Sequence, residues 1–188
     1  MSIETPKYKL IKSDKKFSVR QYEKHIEAKV FVISDSHSSA GSYGFGLLAD
    51  FIFGNNKKNS SISMTAPVSS REFKSEKIAM TAPVSTSKQK GKSYTVTFIM
   101  PSKYKLSTLP KPNNSDVLIA EVAPHQEVAL SFSGLATEGR IINKINELLN
   151  WAESQSLKVT GEAIVSRFDP PWKPGIFRHN EVSFILAS

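Results

Sequence analysis

Residues 117–168 read VLIAEVAPHQEVALSFS, then GLATEGR, IINKINELLNWA, ESQSLK and VTGEAIVSRF. Val117 to Val122 is a short apolar run, and Val128, Leu130 and Phe132 alternate with Ala129, Ser131 and Ser133, the period of half-buried strands. Ile141, Ile145, Leu148, Leu149 and Ala152 instead recur at spacings of three and four, which places them on one helical face. Arg140, Lys144, Glu147 and Glu153 then point to water, and Lys144 lies within reach of Glu147 for a minor ion pair. Val159 to Phe168 and Glu181 to Leu186 return to strand patterning. The order is strand, strand, helix, strand, strand.

The same order recurs upstream. Phe17 and Val19 alternate with Ser18 and Arg20, and Ile26, Ala28, Val30 and Val32 share a face. Between Ser38 and Gly54, Phe45, Leu48, Ala49 and Ile52 fall on one face of a helix whose start is weakened by Gly41, Gly44 and Gly46. Gly54-Asn55 is its stop signal. Lys77 to Met100 supplies two more strands. We therefore expect an α+β chain built from a duplicated β-α-β-β type unit, with about eight antiparallel strands in a barrel-like sheet flanked by two main helices. With 188 residues and 20.8 kDa, residues 1–188 form one domain with halves at about 6–101 and 116–188. A site between the halves is the natural cleft.

Cysteine is absent, which excludes disulfide scaffolds, thiolate metal sites and cysteine nucleophiles. No apolar run reaches the ~20 residues of a membrane span, and Met1 to Asp14 lacks the apolar core of a secretory signal, so the expected location is cytoplasmic. The formal charge is +8, but Asn55 to Lys111 alone carries 11 basic and 2 acidic residues. Those lysines fall largely in polar connectors, as a solubilising set or an anion-attracting face. Nucleic acid is disfavoured as a partner, because no RNP, helix-turn-helix or zinc-finger pattern accompanies the charge.

The sharpest local motif is a doubled octamer, Ile62-Ser63-Met64-Thr65-Ala66-Pro67-Val68-Ser69 and Ile78-Ala79-Met80-Thr81-Ala82-Pro83-Val84-Ser85. In extended chain Ile62, Met64, Ala66 and Val68 share a face, as do Ile78, Met80, Ala82 and Val84. Each proline must end a strand, sit at an edge or mark a bulge. The methionines read either as adaptable core filler or as the lining of a pocket for a flat apolar ligand. His25, His37, His125 and His179 show no zinc-ligand spacing. Nucleophile elbow, Walker loop and HExxH motifs are all absent. No catalytic residue and no metal ligand is assigned, and an enzyme is not expected. Asp169-Pro170-Pro171-Trp172-Lys173-Pro174 is a rigid connection that sets Lys173 and Arg178 beside Trp172 and Phe177, a combination suited to an amphipathic ligand with carboxylates.

Taken in order, the doubled I-x-M-T-A-P-V, Phe51 to Asn56 (F-I-F-G-N-N), the Tyr94 to Pro101 strand, Phe132-Ser133-Gly134, and Asp169-Pro170-Pro171 followed by Arg178-x-Asn180-Glu181-Val182 resemble the SOUL haem-binding protein family. The resemblance runs from about Pro6 to Leu186. It implies a distorted antiparallel barrel flanked by two helices, similar to bacterial effector-binding domains, and non-catalytic binding, buffering or transport of haem or another tetrapyrrole. By position it implies a ligand site of Phe45, Leu48, Ala49 and Ile52 on the first helix, Met64 on the adjoining strand, and Lys173 for a propionate, with no axial iron ligand assigned. Ser42 and Asp50 stand where the family pattern has basic residues. The alternative is effector-type binding, with hydrolysis as a branch, of another planar hydrophobic molecule. Protein partners are left open.

Overall fold

The computed structural model describes residues 4–58, 75–170 and 172–187. Its strands are β1 (Tyr8–Asp14), β2 (Phe17–Tyr22), β3 (His25–Ile33), β4 (Asn56–Lys57), β5 (Val84–Lys88), β6 (Ser93–Ile99), β7 (Lys111–Pro112), β8 (Leu118–Val122), β9 (His125–Ser133), β10 (Val159–Arg167) and β11 (His179–Leu186). The helices are α1 (His37–Phe53) and α2 (Glu138–Ser154). The main sheet has nine antiparallel strands in the order β1-β2-β9-β11-β10-β5-β6-β3-β8, and β4 pairs separately with β7. Exchanging β2-β3-α1-β5-β6 for β8-β9-α2-β10-β11 leaves the order of those eight strands unchanged, apart from its direction. The ninth strand, β1, is an addition at one edge and is exposed along its whole length.

The sheet curves but does not close, which corrects the expectation of a barrel. The chain crosses from β2 to β3 through Glu23-Lys24 and from β8 to β9 through Ala123-Pro124, so the two ends of the sheet stand near each other. They do not bond across the gap. β2 is already bonded on both sides, by β1 and β9, and β3 by β6 and β8.

Each helix covers one part of the outer surface. Leu48, Phe51 and Ile52 of α1 pack with Val30, Val96 and Phe98 in one apolar cluster, while Ile141, Leu148 and Ala152 of α2 pack with Val128, Leu130, Val165 and Val182 in another. The Ser36 hydroxyl caps α1 by accepting from the Ser39 N–H at 3.1 Å, and Gly54 ends it at φ 129°, a conformation that favours glycine. Gly44 is required by close packing: a Cβ there would lie 2.5 Å from Val96 Cγ2. The far end of α2 is fixed by Trp151, stacked on Phe17 with centroids 4.8 Å apart. On its water side Lys144 donates to Glu147 at 2.7 Å.

Candidate functional site

Two surfaces stand out. The first is α1. Of the face picked out by its spacing, Leu48 and Ile52 are 0% and 1% exposed and Ala49 is buried, all turned onto the sheet. Phe45 is half-buried and meets Phe98 edge-on, with centroids 5.4 Å apart. These residues are the underside of the helix, in the core. The opposite side carries Tyr43 and Phe53, 66% and 56% exposed, with Ser42, Gly46 and Asp50. A Cβ on Gly46 would meet nothing within 4 Å. The outer side of the helix thus mixes two exposed aromatics with polar Ser42 and Asp50, and the glycines serve two purposes: Gly44 lets the helix approach the sheet, and Gly46 leaves its outer backbone bare.

Met64 and the first octamer lie outside the described residues. In the second octamer Ile78 is buried and Met80 packs against the α1 cluster, so this methionine serves as core. Pro83 directly precedes β5, and the Thr81 hydroxyl donates to the Ile99 carbonyl. Lys173 donates to Asp169 at 2.8 Å, and Asp169 also accepts from the His179 N–H at 2.5 Å. Those bonds hold the Asp169 carboxyl below its ordinary range. The Arg178 Nε donates to the Lys173 carbonyl. The loop carrying Lys173 follows β10, whose last residue, Arg167, comes 3.7 Å from a Cβ on Gly41. β10 therefore ends beside the first turns of α1.

The second surface is the hollow of the sheet, a cleft of about 580 Å³ lined from both halves. At its floor Arg20 of β2 and Glu181 of β11, 7% and 6% exposed, form a bidentate pair at 2.7 and 2.8 Å. Ser131 donates to the same carboxylate at 2.8 Å. Burial works to raise the Glu181 carboxyl, but hydrogen bonds from His179, Arg20 and Ser131 outweigh it and hold it at about 2. Tyr22 is pushed up to about 12 by burial and by the Glu127 carboxylate. It stacks on His125 with centroids 5.6 Å apart. His25 and His125 face each other across the gap in the sheet at 5.8 Å. A wider mouth of about 790 Å³, lined by Lys7, Lys24, Tyr104 and Lys105 among others, adjoins the cleft at Thr5, Pro6, His25 and Ile99.

The model of the SOUL heme-binding protein family matches residues 3–185. The chain belongs to the SOUL haem-binding family. No functionally curated protein matches it. Among solved structures, this SOUL chain is similar to the EcmrR C-terminal domain, with a TM-score of 0.64 at 14% identity over 96% of this chain and 98% of that one. It is also similar to a hydrolase from Listeria innocua, with a TM-score of 0.58 at 12% identity over 94% of each chain. Identities this low show a shared fold. No helix among the described residues is long and apolar enough to cross a membrane, and no described group of three or more metal-ligating side chains is placed to hold an ion.

A cleft between the halves is expected from the duplication, but the motifs did not single out the side chains that line it. Its signal is His-x-Glu, which occurs at His25-Ile26-Glu27, His125-Gln126-Glu127 and His179-Asn180-Glu181, each time at the first residue of a strand. Residues two apart on a strand share a face, so each histidine stands over its own carboxylate. The sequence also cannot say that this polar face is enclosed. Only the pairing of the two halves does that.

Proposed function

We propose that the protein binds haem or a related tetrapyrrole without catalysing a reaction on it, as a carrier or buffer. The ring lies on the outward face of α1. The observation that carries this reading is the bare backbone at Gly46 between exposed Tyr43 and Phe53. Singly exposed aromatics are ordinary, but two on the outer side of a helix whose other face already fills the core, with an open glycine between them, make a strip of apolar area bordered by Ser42 and Asp50. Membership in the SOUL family supports a porphyrin as the guest.

Phe45 stands at the margin of this strip, Leu48, Ala49 and Ile52 brace it from beneath, and Met64 and Lys173 are the further contacts. Lys173 offers a cation to a propionate. Asp50, on the outward face, repels carboxylates and so turns the propionate edge away from itself. Covering roughly 300 Å² of apolar surface at about 25 cal/mol per Å² supplies about 7.5 kcal/mol before association costs, less than the ~8 kcal/mol net of micromolar binding, so the further contacts must supply the remainder.

The test is an absorbance titration of the protein with haem. A saturable, one-to-one change in the Soret band at micromolar concentration is expected. An unchanged band across that range overturns the proposal.

A further inference from the structure

Two loops meet at one end of the main sheet, one joining β9 to α2 and the other joining β10 to β11. They are tied together. The Gly134 N–H donates to the Arg178 carbonyl at 2.9 Å, and the Asn180 side-chain amide donates to the Gly134 carbonyl at 2.7 Å. Leu135 of the first loop lies against Gly175 of the second, where a Cβ would sit 2.6 Å from Leu135 Cδ2. Within the second loop the Phe177 N–H donates to the Pro174 carbonyl at 3.0 Å and the Arg178 N–H to the Gly175 carbonyl at 3.2 Å. Pro170 and Pro174 preset their own backbone angles.

The side chains that these braced loops hold up are apolar. Leu135, Trp172, Ile176 and Phe177 are 55%, 83%, 71% and 65% exposed, and neither apolar cluster of the core includes them. One exposed apolar side chain is ordinary, but four on two touching loops form a patch of the kind that marks an interaction surface.

The charge beside the patch says what it meets. Residues 133–140 and 168–179 contain three cations, Arg140, Lys173 and Arg178, and two carboxylates, Glu138 and Asp169. Glu138 is turned to the start of α1, where it accepts from the His37 N–H at 2.7 Å, and Asp169 accepts from Lys173 and from the His179 N–H. Arg140 is exposed, lies over the Phe132 ring and donates to the neutral Ser133 carbonyl at 2.6 Å. A second copy packed here across a two-fold axis would set these cations against themselves. An anionic surface meets them with opposite charge, and Trp beside Arg suits the boundary of a bilayer, where the ring enters the interface and the guanidinium meets phosphate.

We propose that the two loops dock the protein on an anionic lipid bilayer, with Leu135, Trp172, Ile176 and Phe177 entering the interface and Arg140 and Arg178 meeting the headgroups. The contact is peripheral and uses no spanning segment. Because the patch is preformed, docking orders little of the chain.

The test uses the full chain and vesicles of phosphatidylcholine mixed equally with phosphatidylglycerol, followed by co-sedimentation and tryptophan emission. Trp151 is stacked on Phe17, so Trp172 is the reporter. Saturable binding with a blue shift that Trp172→Phe lacks is expected, at least tenfold tighter than on phosphatidylcholine alone. Ile176→Ser/Phe177→Ser keeps every charge and should bind at least tenfold more weakly. The wild-type blue shift decides the matter even if a variant fails to fold. Absence of binding or of the blue shift overturns the proposal. So does wild-type affinity in the serine variant, which would leave only the attraction of a protein of formal charge +8. A lipid-free dimer, seen by light scattering and lost in the serine variant, would assign the patch to a second copy and overturn it too.

Discussion

Arg20 shows what alternation tells and what it omits. In Phe17-Ser18-Val19-Arg20 the period of two assigns Val19 and Arg20 to opposite faces, and Val19 does pack beneath α2. Alternation also suggests that the polar face meets water, yet Ser18 and Arg20 are both buried. The reason is tertiary: that face lines the cleft, where Arg20 reaches over the intervening β9 to Glu181 of β11, 161 positions away in sequence. A buried pair of this kind is costly to break and cheap to replace. Arg20→Met should lower stability by about 3–5 kcal/mol in urea denaturation, and the double variant Arg20→Met/Glu181→Leu should recover most of the loss. Equal losses in the single and double variants would contradict the assignment. The Glu181 carboxyl, held at about 2 against 4.5 unfolded, contributes stability that is present above pH 4.5 and lost as the pH falls toward 2.

At the scale of elements, α1 was legible in its end at Gly54 and in the spacing of Leu48, Ala49 and Ile52, while its start, expected near Ser38, lies at His37 behind a Ser36 cap that the sequence reading did not single out. Apolar residues on the other side, Tyr43 and Phe53, leave the sequence no contrast by which to choose the buried face. Gly44 chooses it, through the close approach to Val96. Gly44→Ala should destabilise by about 1–3 kcal/mol through overpacking, beyond the ~1 kcal/mol that alanine adds as a helix former. Gly46→Gln, with open space around it, should stabilise by about 0.5 kcal/mol. Urea midpoints of the two variants should move in opposite directions. The octamers were legible as extended, proline-ended segments, and Met80 resolves the second of them as core.

For the molecule as a whole, strand patterning was enough for an α+β fold with two helices over a curved antiparallel sheet. The ninth strand was missed because β1 lies exposed at an edge and so lacks a buried stripe. The open seam was missed because closure depends on which strands bond on both sides, a matter of register between distant segments. The histidines at that seam make stability depend on pH. Both have raised folded pKa values, so their contribution is full below about pH 6.5 and is lost as pH rises through the folded values. The melting-temperature advantage of wild type over H25Q/H125Q should accordingly shrink from pH 6 to pH 9, and a constant advantage would exclude the charged pairing.

The central claim is that a flat ring lies on the outward face of α1, and Gly46→Gln tests it most directly. The side chain is polar, helix-favouring and clear of the core, so it obstructs the strip without weakening the fold. Haem titration should show at least a tenfold loss of affinity in a variant at least as stable as wild type. Unchanged affinity would contradict the claim.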